Sequence, residues 1–251
     1  MFTHGSIGSS RAVSSTSAQD GMRGRTQHPI VTGSSVLGLK YKDGVMLAAD
    51  TLASYGSLAR FKTVERIKTV GECTLVGGSG EYSDFQHIME MLESMHQDDV
   101  NMDDGFQKSP SEHYNLLRTV MYNRRNKFNP LWNYLLVAGC KKDGTPFLGS
   151  VDNIGTCYED NVLATGFGSY LSLPVLRQKW RPDLEEGEAR LLLEDCMRVL
   201  FYRDSRALNR IQIAKATSEG TLVSEPYTLE TNWDIGTLIK PRLGIDSDGS
   251  W

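Results

Sequence analysis

Length, composition and charge exclude several classes of protein before any motif is considered. The chain has 251 residues, 39% of them hydrophobic, which is enough for one sizeable domain with its own core. Lys and Arg number 27 and Asp and Glu number 31, so the net charge of −4 argues against nucleic acid or an anionic membrane as a partner. No apolar run approaches the roughly 18 residues of a membrane span. We therefore expect no membrane and no nucleic acid among the partners.

The cysteines and the N-terminal segment indicate an intracellular, unsecreted protein. Cys73, Cys140, Cys157 and Cys196 are widely spaced and form no zinc pattern, so we expect reduced, mostly buried thiols rather than metal ligands or a nucleophile. No cofactor is expected. Residues 1–25 are rich in Ser and Gly, which favours a removable or disordered pro-segment. A mitochondrial transit peptide is the alternative, although the segment lacks amphipathic periodicity.

A β-hairpin is predicted at the start of the folded region. Two apolar runs, Val36 to Tyr41 and Val45 to Ala49, flank Lys42-Asp43-Gly44. An Asp-Gly pair can supply the positive φ angles of a tight hairpin turn. A small Gly33-Ser34 pair precedes the first strand, and an acid, Asp50, follows the second. The chemical interest of this hairpin therefore lies at its two ends.

The next segments predict a loop, a short strand and a glycine-rich connection. Residues 51–60 are polar and contain glycine, so we expect a loop there. A strand over Cys73 to Val76 runs into Gly77-Gly78-Ser79-Gly80. A phosphate-binding loop is one interpretation of these glycines. Their spacing matches neither a Walker nor a Rossmann motif, so close packing of backbones is the favoured interpretation.

Helices are predicted from apolar residues at helical spacing and from capping signals. The first covers residues 83–95 and is followed by an acidic loop over residues 97–108. Ser109-Pro110-Ser111-Glu112 forms a capping box with proline at the first helical position, and it starts the second helix. A third helix runs from Gly166 toward Trp180. Asp183-Leu184-Glu185-Glu186 offers an N-cap for a fourth helix, which carries the apolar stripe Ala189, Leu192, Leu193, Cys196 and Leu200.

The order of these elements predicts the fold class. Further hairpin signals lie at residues 141–144 and 218–220, and hairpins imply antiparallel neighbours. The order is strands, two helices, strands, two helices, strands. Each helix pair needs a sheet face on which to bury its apolar stripe. The sequence therefore predicts an α+β fold, a four-layer αββα sandwich of two antiparallel sheets.

Two motifs in the first hairpin resemble the β subunits of the proteasome, which are N-terminal nucleophile (Ntn) hydrolases with an αββα fold. Catalytic members carry Gly-Thr-Thr and Gly-Val-x-x-Ala-x-Asp, and this chain has Gly33-Ser34-Ser35 and Gly44-Val45-Met46-Leu47-Ala48-Ala49-Asp50 at those places. The resemblance implies an Ntn-hydrolase-like domain over residues 26–239. It also implies a pro-segment over residues 1–25 and a C-terminal tail over residues 240–251.

The resemblance assigns the catalytic positions one by one. Ser34 holds the place of the nucleophile, and Asp50 holds the place of the acid. Gly80 matches the glycine whose backbone N–H would form the oxyanion hole. Arg66 replaces the lysine that helps to activate the nucleophile. This change is not conservative, because a guanidinium stays protonated above about pH 12.

Three further positions complete the comparison with active members. Phe167 replaces the serine of a Gly-Ser-Gly turn, Asp204 is kept, and Ala207 stands where a second serine is expected. Sites of this kind act as a unit, so these losses imply a degenerate site without a catalytic residue. The alternative is an active serine-type Ntn peptidase that uses Ser34.

Longer segments resemble one non-catalytic member, the subunit at the seventh position of the β ring. They include residues 54–61, 129–133 and 230–235. This likeness implies a structural subunit of the 20S core particle, located in the cytoplasm and nucleus. Its partners would be other α and β subunits in stacked seven-membered rings. The tail would reach the opposite β ring and help the half-particles to join.

Overall fold

The fold is known from a computed structural model, which describes residues 28–141 and 143–234. The predicted pro-segment and the predicted C-terminal tail lie outside the described residues. The strands are β1 Val31–Gly33, β2 Val36–Tyr41, β3 Gly44–Asp50, β4 Ala53–Tyr55, β5 Leu58–Phe61, β6 Ile67–Val70, β7 Thr74–Glu81, β8 Asn133–Cys140, β9 Pro146–Val151, β10 Cys157–Glu159, β11 Val162–Ala164, β12 Arg210–Thr217, β13 Gly220–Val223 and β14 Tyr227–Thr228. The helices are α1 Tyr82–Met102, α2 Pro110–Asn126, α3 Gly168–Leu171, α4 Leu173–Lys179 and α5 Glu186–Arg203.

The strands of this part of the chain form two antiparallel sheets. The larger has eight strands in the order β10-β9-β8-β7-β1-β4-β5, with β6 also paired to β7. The smaller has six strands in the order β11-β2-β3-β12-β13, with β14 also paired to β12. The predicted first hairpin is formed by β2 and β3, in which Tyr41 lies opposite Gly44.

Three apolar clusters place helices on the outer faces of the two sheets. Between the sheets, Leu47 of β3 packs in one cluster with Leu136 of β8. Helices α1 and α2 cover the larger sheet through residues such as Ile88 and Leu117. The predicted stripe of α5 is buried against the smaller sheet. The predicted α+β arrangement with two antiparallel sheets is thus confirmed. None of the helices between residues 28 and 234 is both long enough and apolar enough to cross a membrane.

One predicted loop contains strands, and another is helical over its first half. Residues 51–60 contain β4 and most of β5, because Ser54 is a buried partner of β1 despite its polar side chain. Helix α1 continues to Met102, well into the acidic segment. Its last turns face solvent and so lack an apolar stripe, and the Gln97 amide donates to Asn101 Oδ1 at 3.1 Å. The N-cap of α5 is Glu185, which lies within the predicted capping segment Asp183-Leu184-Glu185-Glu186.

Gly44 of the first hairpin and Gly78 of β7 provide space rather than special backbone angles. Gly44 does not have a positive φ, contrary to the predicted turn chemistry. A Cβ at Gly44 would lie 2.2 Å from the carbonyl oxygen of Ala216 on the neighbouring strand. The glycine cluster is part of β7, where a Cβ at Gly78 would lie 2.3 Å from the Phe85 ring. Close packing is therefore the correct interpretation of Gly78, whereas Gly80 of the same cluster also has a positive φ.

Candidate functional site

The ends of several elements meet at one pocket with a volume of about 250 Å³. Ser34 follows β1, Gly80 lies in β7, Phe167 precedes α3 and Asp204 follows α5, and all four line the pocket. The structure therefore brings together residues that are far apart in the sequence but share one site in the family resemblance. Ala207 does not line the pocket. Its backbone amide donates to the carbonyl oxygen of Asp204 at 3.2 Å.

Ser34 is hydrogen-bonded to the acid that the sequence assigned beside it. Its hydroxyl donates to Asp50 Oδ1 at 3.0 Å, and the backbone amide of Leu208 donates to Asp50 Oδ2 at 2.8 Å. Asp50 closes β3 and is 1% exposed. Burial raises the pKa of this carboxyl, while the charge of Arg66 and the two hydrogen bonds act in the opposite direction. The carboxylate is thus an acceptor that orients Ser34.

Arg66 lies buried beneath the backbone of Ser34 and Ser35. Its Nε donates to the carbonyl oxygen of Asp50 at 3.0 Å, and its Nη1 donates to the carbonyl oxygen of Ser34 at 2.8 Å. Its Nη2 donates to the carbonyl oxygen of Ser35 at 3.0 Å and also to Asp50 Oδ1. A guanidinium has only donors and stays charged. Arg66 is therefore unable to accept a proton from the Ser34 hydroxyl.

The absence of a side chain at position 33 makes room for this arginine. Gly33 immediately precedes Ser34, and a Cβ at Gly33 would lie 2.5 Å from Arg66 Cδ. Any larger residue would collide with the stem of the arginine. Both residues of the Gly33-Ser34 pair therefore contact Arg66: Gly33 leaves space for its stem, and the carbonyl oxygen of Ser34 accepts from its guanidinium.

The backbone nitrogen of Ser34 belongs to a peptide bond at the end of a paired strand. Gly33 of β1 lies opposite Ala53 of β4 on one side and opposite Gly80 of β7 on the other. The Glu81 carboxylate accepts from the backbone amide of Val31 at 3.1 Å. The segment before Ser34 is therefore built into the larger sheet. An amide nitrogen in this position has no basic lone pair to offer the neighbouring hydroxyl.

Gly80 keeps the residue type expected at its position in the site, whereas Phe167 replaces the expected serine. Gly80 has a φ of +89°, and a Cβ there would lie 2.1 Å from the carbonyl oxygen of Trp132. Only glycine suits this position, because both the positive φ and the crowding disfavour a Cβ. Phe167 is 59% exposed at the pocket and presents an apolar ring. The position therefore supplies no hydroxyl to the site.

Three hydroxyl residues that the sequence analysis did not single out also organise the site. Ser79 Oγ donates to Thr165 Oγ1 at 2.7 Å, and the backbone amide of Val36 donates to the same oxygen at 2.8 Å. Ser35 Oγ accepts from the amide of Gly168 at 2.8 Å. These bonds join the two sheets beside Ser34. Ser35 directly follows Ser34, and Ser79 directly precedes Gly80. This proximity in the sequence is the one signal that could have identified these two residues.

Comparison with known proteins assigns the chain to a family. Residues 30–216 match the family described as proteasome subunit. The chain is 50% identical to proteasome subunit beta type-4 of Arabidopsis thaliana over 90% of this chain and 91% of that protein. It is 49% identical to proteasome subunit beta type-4 of Dictyostelium discoideum, over 86% and 84%. It is 43% identical to proteasome subunit beta type-7 of Saccharomyces cerevisiae, over 75% and 74%. This chain therefore belongs to the proteasome subunit family.

Proposed function

We propose that this chain is a non-catalytic structural subunit of the 20S proteasome core particle. Its identity of about one half to subunits named beta type-4 supports the type of subunit. The observation that carries the non-catalytic assignment is the position of Arg66. Its guanidinium is bonded to the backbone of Ser34, Ser35 and Asp50 and to the Asp50 carboxylate. Arg66, which only donates hydrogen bonds, thus stands at the position where activation of a nucleophile requires a group that can accept and release a proton.

The chemistry of an Ntn hydrolase makes this substitution decisive. A hydroxyl nucleophile of this type is activated by an adjacent base, which is its own free α-amine in an N-terminal nucleophile enzyme. Ser34 has an amide nitrogen in this chain, because β1 precedes it within the sheet. Its hydroxyl retains one acceptor, Asp50. Such a site can orient the serine but lacks a base for it.

The assembly that we propose is that of the β ring. The chain would occupy the seventh position of the ring beside other α and β subunits, with its Ntn-hydrolase-like domain spanning residues 26–239. Removal of residues 1–25 would leave Ser34 preceded by several residues and so without a free amine. The tail over residues 240–251 would contact the opposite β ring. The particle would act in the cytoplasm and nucleus.

Intact mass spectrometry of the subunit within its purified particle tests the proposal. We expect a mature chain that starts before Ser34 and carries no label after treatment with an epoxyketone probe. A chain that begins at Ser34 and becomes labelled by the probe would refute the non-catalytic assignment. The catalytic subunits of the same particle are the internal control, since they must become labelled.

Truncation after Lys240 tests the assembly role of the tail. We expect fewer half-particles to join, with little loss of subunit folding, because the tail sequence is rich in polar residues and carries little core. An unchanged yield of full particles from the truncated subunit would contradict this role.

An active serine-type peptidase that uses Ser34 is the second candidate. The hydrogen bond of 3.0 Å from Ser34 Oγ to Asp50 favours it, together with a glycine at position 80 that has the required backbone. It would require cleavage of the chain directly before Ser34. The mass measurement above distinguishes the two candidates.

A further inference from the structure

We propose that Cys73 and Cys140 form a peroxide-sensitive dithiol site at the end of the larger sheet. In β7 and β8, Thr74 lies opposite Gly139. Continuing this antiparallel register by one residue places Cys73 opposite Cys140. All four cysteines of the chain are free thiols in the structure.

The local backbone brings these two residues within reach of each other. A Cβ at Gly139 would lie 2.2 Å from the carbonyl oxygen of Cys73, so the turn that holds Cys73 lies directly against β8. Facing residues of an antiparallel pair have Cα atoms about 4.5–5.5 Å apart. A disulfide bond spans Cα atoms about 4.4–6.8 Å apart. The two thiols therefore suit a disulfide without a large shift of the backbone.

A pocket gives solvent access to both residues. Cys73 and Cys140 line a pocket of about 310 Å³, together with Lys141 and the turn between β12 and β13. Cys73 is half-buried, whereas Cys140 is buried and its Sγ lies 3.4 Å from the carbonyl oxygen of Ala216. Burial, and then the nearby Cys73 thiol, raise the pKa of Cys140 to about 11. Cys73 is thus the thiol that meets an oxidant first, and Cys140 is the resolving thiol.

The charges around the pocket select a small neutral oxidant. Among the described residues that line it, Glu72 and Glu219 outnumber Lys141. Two carboxylates disfavour the approach of an anionic disulfide such as oxidised glutathione. Hydrogen peroxide is neutral and of the size of two water molecules. We therefore assign hydrogen peroxide as the chemical class of oxidant.

The reaction balances with one peroxide for each pair of thiols. The thiolate of Cys73 attacks one peroxide oxygen, an S–O bond forms, the O–O bond breaks, and hydroxide leaves and takes up a proton as water. The sulfur of Cys140 then attacks the sulfur of Cys73. An S–S bond forms, the S–O bond breaks, and the second oxygen leaves as water. Two thiols are oxidised to one disulfide, and one peroxide is reduced to two waters.

Peptide mapping of the full chain in its purified particle tests the site. After graded hydrogen peroxide treatment and alkylation, we expect a peptide pair joined through Cys73 and Cys140. Its mass should be about 2 Da below the summed masses of the two free-thiol peptides, because two hydrogens are lost. Dithiothreitol should restore alkylation of both cysteines. The joined pair should vanish in Cys73→Ser and persist in Cys157→Ser, the matched control for a half-buried cysteine.

Two results would overturn the proposal. One is oxidation of Cys73 to sulfinic acid while Cys140 remains alkylatable. The other is loss of free thiol at Cys73 no faster than at Cys157 across the peroxide series. A stable glutathione adduct on Cys73 under oxidised glutathione, without the joined pair, would overturn the assigned oxidant and the resolving role of Cys140.

Discussion

Arg66 holds Asp50 at two points, because its Nε donates to the backbone carbonyl oxygen at 3.0 Å and its Nη2 donates to the carboxylate. Both side chains are buried, with 1% and 0% of their surfaces exposed. Removing one partner of a buried ion pair leaves an uncompensated charge, which costs more than the pair itself contributes. The pair therefore links two positions assigned by the family resemblance to the stability of the fold.

Replacing Arg66 by methionine should destabilise the chain by about 3–5 kcal/mol, because Asp50 would remain buried without its counter-charge. Chemical denaturation of the full chain measures this loss. The double variant Arg66→Met with Asp50→Leu should recover part of it, since both charges are then absent. A double variant as unstable as the sum of the two single variants would contradict this coupling.

Replacing Arg66 by lysine should not create peptidase activity. Lysine restores the residue type of active family members, but Ser34 still lacks a free amine and Phe167 still supplies no hydroxyl. Peptide turnover by the particle, with its own catalytic subunits inactivated, is the measurement. Measurable new turnover that depends on Ser34 would refute the prediction.

Replacing Ser34 by alanine should leave the peptidase activities of the particle unchanged. The variant loses one hydrogen bond to Asp50, which costs about 0.5–1.5 kcal/mol. Fluorogenic peptide turnover and thermal melting measure the two effects. The matched control is Ser35→Ala, which removes the acceptor of the Gly168 amide and should cost stability by a similar amount. A selective loss of one peptidase activity in Ser34→Ala alone would count against a structural role.

Replacing Gly80 by alanine should cost roughly 2–5 kcal/mol, because a positive φ and an overlap with Trp132 act together. Gly56 offers a matched control. Its φ is +59°, yet nothing lies within 4 Å of a Cβ built there. Gly56→Ala should therefore cost only the backbone strain of about 1–2 kcal/mol. Equal losses of stability in denaturant titrations of both variants would show that crowding at Gly80 is relieved.

The capping box at the start of α2 should make stability depend on pH in the acid range. The Ser109 backbone amide donates to Glu112 Oε2 at 2.6 Å, and this bond lowers the pKa of Glu112. A group whose folded pKa is lowered stabilises the fold above its unfolded pKa, and this contribution is lost as the pH falls through the folded value. Glu112→Gln should therefore cost about 0.5–1 kcal/mol at neutral pH and nothing well below the ordinary glutamate pKa of about 4.3.

Denaturant titrations of Glu112→Gln and the parent chain at several pH values check this dependence. Glu93→Gln, an exposed site on α1, is the control and should change little at any pH. A constant difference between the Glu112→Gln variant and its parent over the acid range would contradict the sign of the effect.

The sequence by itself determined the hairpins, the capped second helix and the apolar stripe of α5, because these depend on local periodicity and turn residues. It also determined which residues stand at the positions that the family resemblance assigns to the site. It did not determine that residues 51–60 contain strands or that α1 extends to Met102, because Ser54 is buried despite its polar side chain and the last turns of α1 face solvent. In residues 51–60, pairing with β1 outweighed a composition typical of a loop. In α1, the last turns are helical although their acidic composition is also typical of a loop.

Only the tertiary structure decided how the site positions act on one another. From the sequence, Arg66 is known only as an arginine at the position where active relatives have lysine. The fold places its guanidinium under Ser34 and against Asp50, and Gly33 provides the space. Likewise, nothing local in the sequence relates Cys73 to Cys140, which line one pocket at the end of β7 and β8. Such contacts join residues distant in the chain, so they depend on sheet register and layer packing rather than on any local pattern.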